Sequence, residues 1–227
     1  MEQLLSSLSI RVNEAIFLKD PDSSDLGRRI ISGSIEMIND LGIENFSFGK
    51  LALHINSTEA SVYRYFESKH KLLLYLMSWY WRWMEYRLVF ATSNIQSPAD
   101  RLEKSVVLLT EPVGHDNAHA YVDVSTLSNV VINEASKTYL TKLVDEENKY
   151  GVFAGYKQLV GRVSDMITEI DPDYKYPHML VSTIVEGAHH QRFFQEHLPR
   201  LTDVVEGEDS VTQFYLDLVR NALRIKR

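Results

Sequence analysis

The chain has 227 residues, 44% of them hydrophobic, no cysteine and a formal net charge of −7. These numbers suit a packed globular protein, either one large domain or a small domain joined to a larger one. They exclude a disulfide scaffold, a thiolate zinc site and a cysteine nucleophile, and they require any contact with nucleic acid to be local.

Residues 1–20 read as an amphipathic lead-in without the basic start and apolar run of a secretory signal, so a cytoplasmic protein is expected. Asp22-Ser23-Ser24 offers N-caps for a first helix that stops at Leu41-Gly42. Within it Leu26, Ile30, Ser34, Met37, Ile38 and Leu41 share one side, and Arg29, Glu36 and Asp40 share the other. Two short helices follow, capped by Ser47 and Thr58. Asn56 between them suits a sharp turn, because asparagine tolerates a left-handed backbone better than other side chains. Leu51, Ala52, Ile55, Val62 and Phe66 supply the inner faces, which leaves Glu59, Ala60, Ser61, Tyr63, Arg64 and Tyr65 for the outer side. From Ser47 to Lys71 the cations Lys50, Arg64, Lys69 and Lys71 outnumber Glu59 and Glu67, a balance of +2 on a chain whose remainder carries −9.

Ser68 caps a long helix that reaches about Ala91, roughly 36 Å at 1.5 Å per residue. Leu72, Leu76, Trp79, Trp83, Tyr86 and Phe90 form one apolar strip, and Leu73, Met77, Tyr80 and Met84 form a second. A helix apolar over so much of its circumference is buried on more than one side. Its Ser78, Arg82, Glu85 and Arg87 argue against a membrane span. Ser97-Pro98 opens the next helix, and Glu111-Pro112-Val113-Gly114 closes it. Another runs from about Asn117 into the 130s, and a long pattern from Ser136 to Ile170 carries a kink near Gly151 and Gly155. The last two helices span Tyr176 to His197 and Ser210 to Arg224. The final one has two apolar strips, which suits packing on both the body and a partner. The chain therefore reads as all-α, with about nine helices. A three-helix helix-turn-helix domain at 22–70 is joined by the long helix to a larger helical bundle within 71–227.

The run from Phe46 to Lys69 resembles, without a gap, the DNA-binding domain of the tetracycline-repressor (TetR) family. Ser47, Leu51-Ala52, Asn56, Thr58, Tyr63-Arg64-Tyr65-Phe66 and Lys69 carry the resemblance. It implies a recognition helix from Thr58 to Phe66 lying in the major groove. Ser61, Arg64 and the exposed part of Glu59-Ala60 would face base edges, with Arg64 donating a fork to guanine. Tyr63, Tyr65, Lys69, Lys50 and the backbone at the Ser47 helix terminus would hold phosphates. The partner implied is double-stranded DNA carrying a palindromic operator, bound by a homodimer paired through the last two helices. Val185, Phe214, Leu218 and Ala222 are the interface candidates. An unidentified small-molecule effector is expected in the larger domain, lined by Trp79, Trp83, Tyr86, Phe90, Tyr121 and Tyr156, although the same aromatics also read as ordinary core. Three positions depart from the family pattern. Asn56 replaces glycine, Ser57 replaces an apolar turn residue, and Glu59 puts a carboxylate at the start of the recognition helix.

Catalytic and metal chemistry find no support in the pattern. His115 and His119 stand four apart and His189-His190 adjoins Glu186, but three or four converging ligands are not supplied locally. Neither a nucleophile elbow nor a His-Glu-x-x-His segment is present, so no enzyme, cofactor or metal is expected. The resemblance implies a repressor, and the alternative is a helical ligand-binding or protein-interaction protein that has lost operator recognition.

Overall fold

The computed structural model describes residues 10–114 and 121–225, and His115 and His119 lie outside the described residues. Among these residues there are eleven α-helices and no strand. Three form the N-terminal group: α1 (Asp25–Asn45), α2 (Phe48–His54) and α3 (Glu59–Tyr63). The long helix α4 (Lys69–Thr92) and α5 (Pro98–Thr110) follow. Next come α6 (Val124–Glu134), α7 (Ser136–Tyr139), α8 (Val144–Lys149) and α9 (Ala154–Ile170). The chain ends in α10 (Pro177–His197) and α11 (Ser210–Leu223). No helix among the described residues is long and apolar enough to cross a membrane.

The count exceeds nine because the pattern from Ser136 to Ile170 is three helices and not one. The chain leaves α8 at Tyr150 and turns through Gly151 at a φ of 76°, a conformation that glycine adopts without strain. The first helix also differs from expectation. It breaks at Gly42 (φ 71°, ψ 158°) but resumes for three more residues to Asn45. Elsewhere the caps act where the sequence places them: Ser24 opens α1 and Ser97 opens α5. Asp209 opens α11.

The helices gather into two compact units. One comprises the described residues of Met1–Trp83 and Val113–Gly155, the other Met84–Pro112 and Tyr156–Arg227. In the first, α1 packs on α6 and α2. Glu134, buried at the end of α6, accepts the Ile43 N–H at 3.1 Å, a donor released by the break at Gly42. Lys137 bridges Glu134 and Glu44 at 2.6 and 2.8 Å. In the second unit α5, α10 and α11 pack against one another. Their closest approach is at Gly187, where a Cβ would lie 2.1 Å from the Tyr215 hydroxyl oxygen.

Candidate nucleic-acid interface

Helices of seven and five residues do not persist alone in water, because nucleation costs more than so few hydrogen bonds recover. Caps and burial hold α2 and α3 in place. The Ser47 hydroxyl accepts the Lys50 N–H and the Thr58 hydroxyl accepts the Ser61 N–H, each at 3.3 Å. Leu51, Ala52, Ile55, Val62 and Phe66 are buried as the pattern requires. Between the helices Asn56 has a φ of 51°, and the Ser57 N–H reaches the Ala52 carbonyl at 2.8 Å. Gly33 on α1 makes the seat for this turn, since a Cβ there would come within 2.7 Å of Ile55 Cγ2. The Arg29 guanidinium closes the end of α2 by donating to the Ile55 carbonyl at 2.7 Å.

The outer side carries Glu59, Ala60, Tyr63 and Arg64, with Ser47, Lys50 and Thr58 also exposed. Tyr63 is 48% exposed, and its ring stands edge-on to Phe48 at 4.9 Å. The Glu59 carboxylate lies beside Gly49 in the first turn of α2, 3.3 Å from where a Cβ would be. That end of a helix favours an anion, which eases the repulsion expected between Glu59 and a phosphate. Lys50 donates to the Asn45 carbonyl at 2.8 Å.

Three of the expected DNA contacts are placed otherwise. Ser61 is only 9% exposed, and its hydroxyl lies between the Thr58 hydroxyl (2.9 Å) and Arg64 Nη2 (3.0 Å). It therefore orients Arg64 and does not face a base. Tyr65 is 3% exposed, because residues 10–24 lie over it. Its carbonyl accepts the Leu18 N–H at 2.8 Å, its hydroxyl meets Ser24 Oγ at 2.7 Å, and Lys19 Nζ stands 5.0 Å from its ring centroid. Burial pushes the Tyr65 phenol up, but the Ser24 hydrogen bond and the charges of Lys19 and Arg64 bring it below its ordinary value. Lys69 is exposed, and its ammonium is tied to the protein's own backbone. Nζ donates to the carbonyls of Ile43 (2.8 Å), Glu44 (3.1 Å) and Phe46 (3.4 Å), the acceptors left open where α1 ends.

The aromatic candidates divide between the two units. Trp79 and Trp83 are buried in the first. Tyr121, in the same unit, donates its hydroxyl to Asp22, which also accepts from Tyr75 at 3.5 Å. Burial and then that carboxylate raise both phenols. In the second unit Tyr86 is half-buried, Phe90 is exposed, and Tyr156 donates to Glu186 at 2.9 Å. Of the interface candidates, Val185 is 1% exposed within its own chain and has no surface to offer a partner. Phe214 is 58% exposed, Leu218 half-buried and Ala222 exposed, all on the outer side of α11.

Residues 30–76 match the family of bacterial regulatory proteins described as the tetR family. Three solved structures share the fold. AibR in complex with isovaleryl coenzyme A and operator DNA is 16% identical, with a TM-score of 0.56 over 86% of this chain and 97% of that one. The ketosteroid transcriptional regulator KstR2 of Mycobacterium tuberculosis is 15% identical, with a TM-score of 0.53 over 87% and 93%. Apo AibR gives 16% and 0.53 over 86% and 96%. No curated protein sequence matches the chain.

Proposed function

We propose that this chain, whose helix-turn-helix domain is that of the tetR family, is a cytoplasmic transcriptional repressor that reads double-stranded DNA through α3 as a homodimer. The observation that carries this reading is the setting of Arg64. One guanidinium N–H is tied to the Ser61 hydroxyl, and Ser61 is tied to the cap of the same helix. Among the described residues no carboxylate pairs with Arg64, so its charge and remaining donors are held ready for a base edge or a phosphate. A fold shared with a regulator bound to an acyl-coenzyme A and to operator DNA supports tuning by a small effector. Tyr86 and Tyr156, both half-buried in the second unit, are the candidate lining for that effector.

Selection of duplexes from a random pool, followed by titration at several salt concentrations, tests the reading. Affinity for the selected duplex should fall steeply as salt rises. Arg64→Ala should cost about 1–3 kcal/mol and relax preference at one base pair. Binding that is absent, or indifferent to salt, returns the alternative of a ligand-binding or protein-interaction protein. The exposed strip of Phe214, Leu218 and Ala222 is the proposed dimer face. Leu218→Glu should therefore shift sedimentation toward the monomer, and an unshifted dimer would place the interface elsewhere.

A further inference from the structure

We infer that residues 10–24 form part of the DNA interface, with Lys19 contacting a backbone phosphate at the edge of α3. The inference rests on the regulator reading and adds to it a segment outside the helix-turn-helix.

This segment is fixed in place along its length. Ile10 and Ile16 are buried, and Asn13 donates to the Tyr150 carbonyl at 2.7 Å. Leu18 is pinned through its N–H to the Tyr65 carbonyl, and Asp20 caps the turn that follows by accepting the Asp22 N–H at 2.9 Å. Lys19 stands between these two anchors. Its position beside the recognition helix is thus set by the backbone bond of Leu18 on one side and by the Asp20 turn on the other.

Lys19 is exposed, and its ammonium rests against the face of Tyr65. Among the described residues no carboxylate pairs with it. Arg64 adjoins the same tyrosine in sequence, and both charges act on the Tyr65 phenol. Two uncompensated cations near one another repel, and an oxyanion between or beside them relieves both. On a chain of net charge −7 such a pair is a local exception. Its place next to Tyr63 and Arg64 makes it continuous with the surface proposed to meet DNA, which favours a nucleic-acid phosphate over a lipid headgroup or an acidic peptide.

The full chain should be titrated against a short duplex of random sequence over a range of salt, since a phosphate contact carries no sequence information. Lys19→Gln should lower the slope of log affinity against log salt by about 0.9, which is roughly an eightfold loss near 0.1 M salt. Lys19→Arg should restore the slope, which a merely structural role would not require. Leu18→Pro removes the N–H bonded to Tyr65 and should reproduce the Lys19→Gln loss, with no further loss when the two are combined. A wild type that binds with a steep slope, beside a Lys19→Gln protein of equal slope and affinity, removes the arm from the interface and leaves the regulator reading intact. A wild type that binds no duplex at low salt overturns both. Loss of binding to phosphatidylserine vesicles but not to duplex would overturn the inference in favour of a membrane.

Discussion

The second unit and the helix-turn-helix surface hold their cations in different ways. In the second unit arginines meet carboxylates. Arg192 reaches Asp209 at 2.6 Å while also donating to the Thr110 carbonyl, Arg220 grips both oxygens of Glu103 at 2.8 Å, and Arg162 meets Glu85 at 2.9 Å. On the helix-turn-helix side Arg29 and Lys71 also meet carboxylates, of Asp25 and Glu147, but Lys50 ends on a carbonyl, Arg64 on a hydroxyl and Lys19 on a ring. A cation neutralised by a carboxylate contributes to architecture. One held by neutral oxygens is positioned yet still charged, and so remains available to an outside anion. The net charge of −7 is a sum over both arrangements and conceals the difference.

The comparison can be broken most forcefully at Arg192. Arg192→Met takes the guanidinium from the Thr110 carbonyl and leaves Asp209 with Thr212 alone, and should cost about 2–3 kcal/mol in urea unfolding. The salt slope of duplex binding should be unchanged. Burial pushes the Asp209 carboxyl up, but Arg192 and Thr212 together hold it below 3.8. The pair's contribution is therefore present above that value and is lost as pH falls through the lower folded one. The wild type and Arg192→Met should accordingly converge in stability at strongly acid pH. A smaller effect is expected at Lys69. Lys69→Met should cost about 1–2 kcal/mol of stability through three lost carbonyl acceptors, again with the salt slope unchanged. A slope lowered by about one would make Lys69 a phosphate contact and erase the distinction drawn here. The smallest effect concerns a neutral group in the packed unit. Burial first, with His190 beside it, drives His189 from 6.5 down to about 4 against the pull of Glu186. The unfolded chain takes up this proton below 6.5 and the folded chain only near 4, so stability falls as pH drops across that window. His189→Gln should flatten the fall in thermal melts recorded from pH 6.5 to 4.

Much of this was legible in the residues. Ser47, Asn56 and Thr58 mark the two short helices because caps and left-handed turns depend on local chemistry. The same holds for Ser97-Pro98. The break-up of 136–170 was harder to read, because Leu140 and Leu143 continue the apolar pattern although both are exposed. In the site, Ser61 and Tyr65 stand four apart and flank the inner residues Val62 and Phe66, so helical spacing alone left their direction open. What covers Tyr65 comes from residues 41 and more positions earlier in the chain, and nothing between Thr58 and Phe66 encodes it. The backbone ties of Lys69 are illegible for a related reason. Its acceptors exist only because α1 breaks at Gly42 and ends at Asn45.

Gly187 gives way to no other residue without moving the Tyr215 ring, because the Tyr215 hydroxyl already occupies the space a methyl group would need. The ring of Phe214 stands against that of Tyr215 at 5.0 Å, on the exposed side of the same helix. A lesion at 187 would travel through this aromatic couple to the outside. A genetic screen for failed self-association should thus return position 187 alongside the exposed residues of α11.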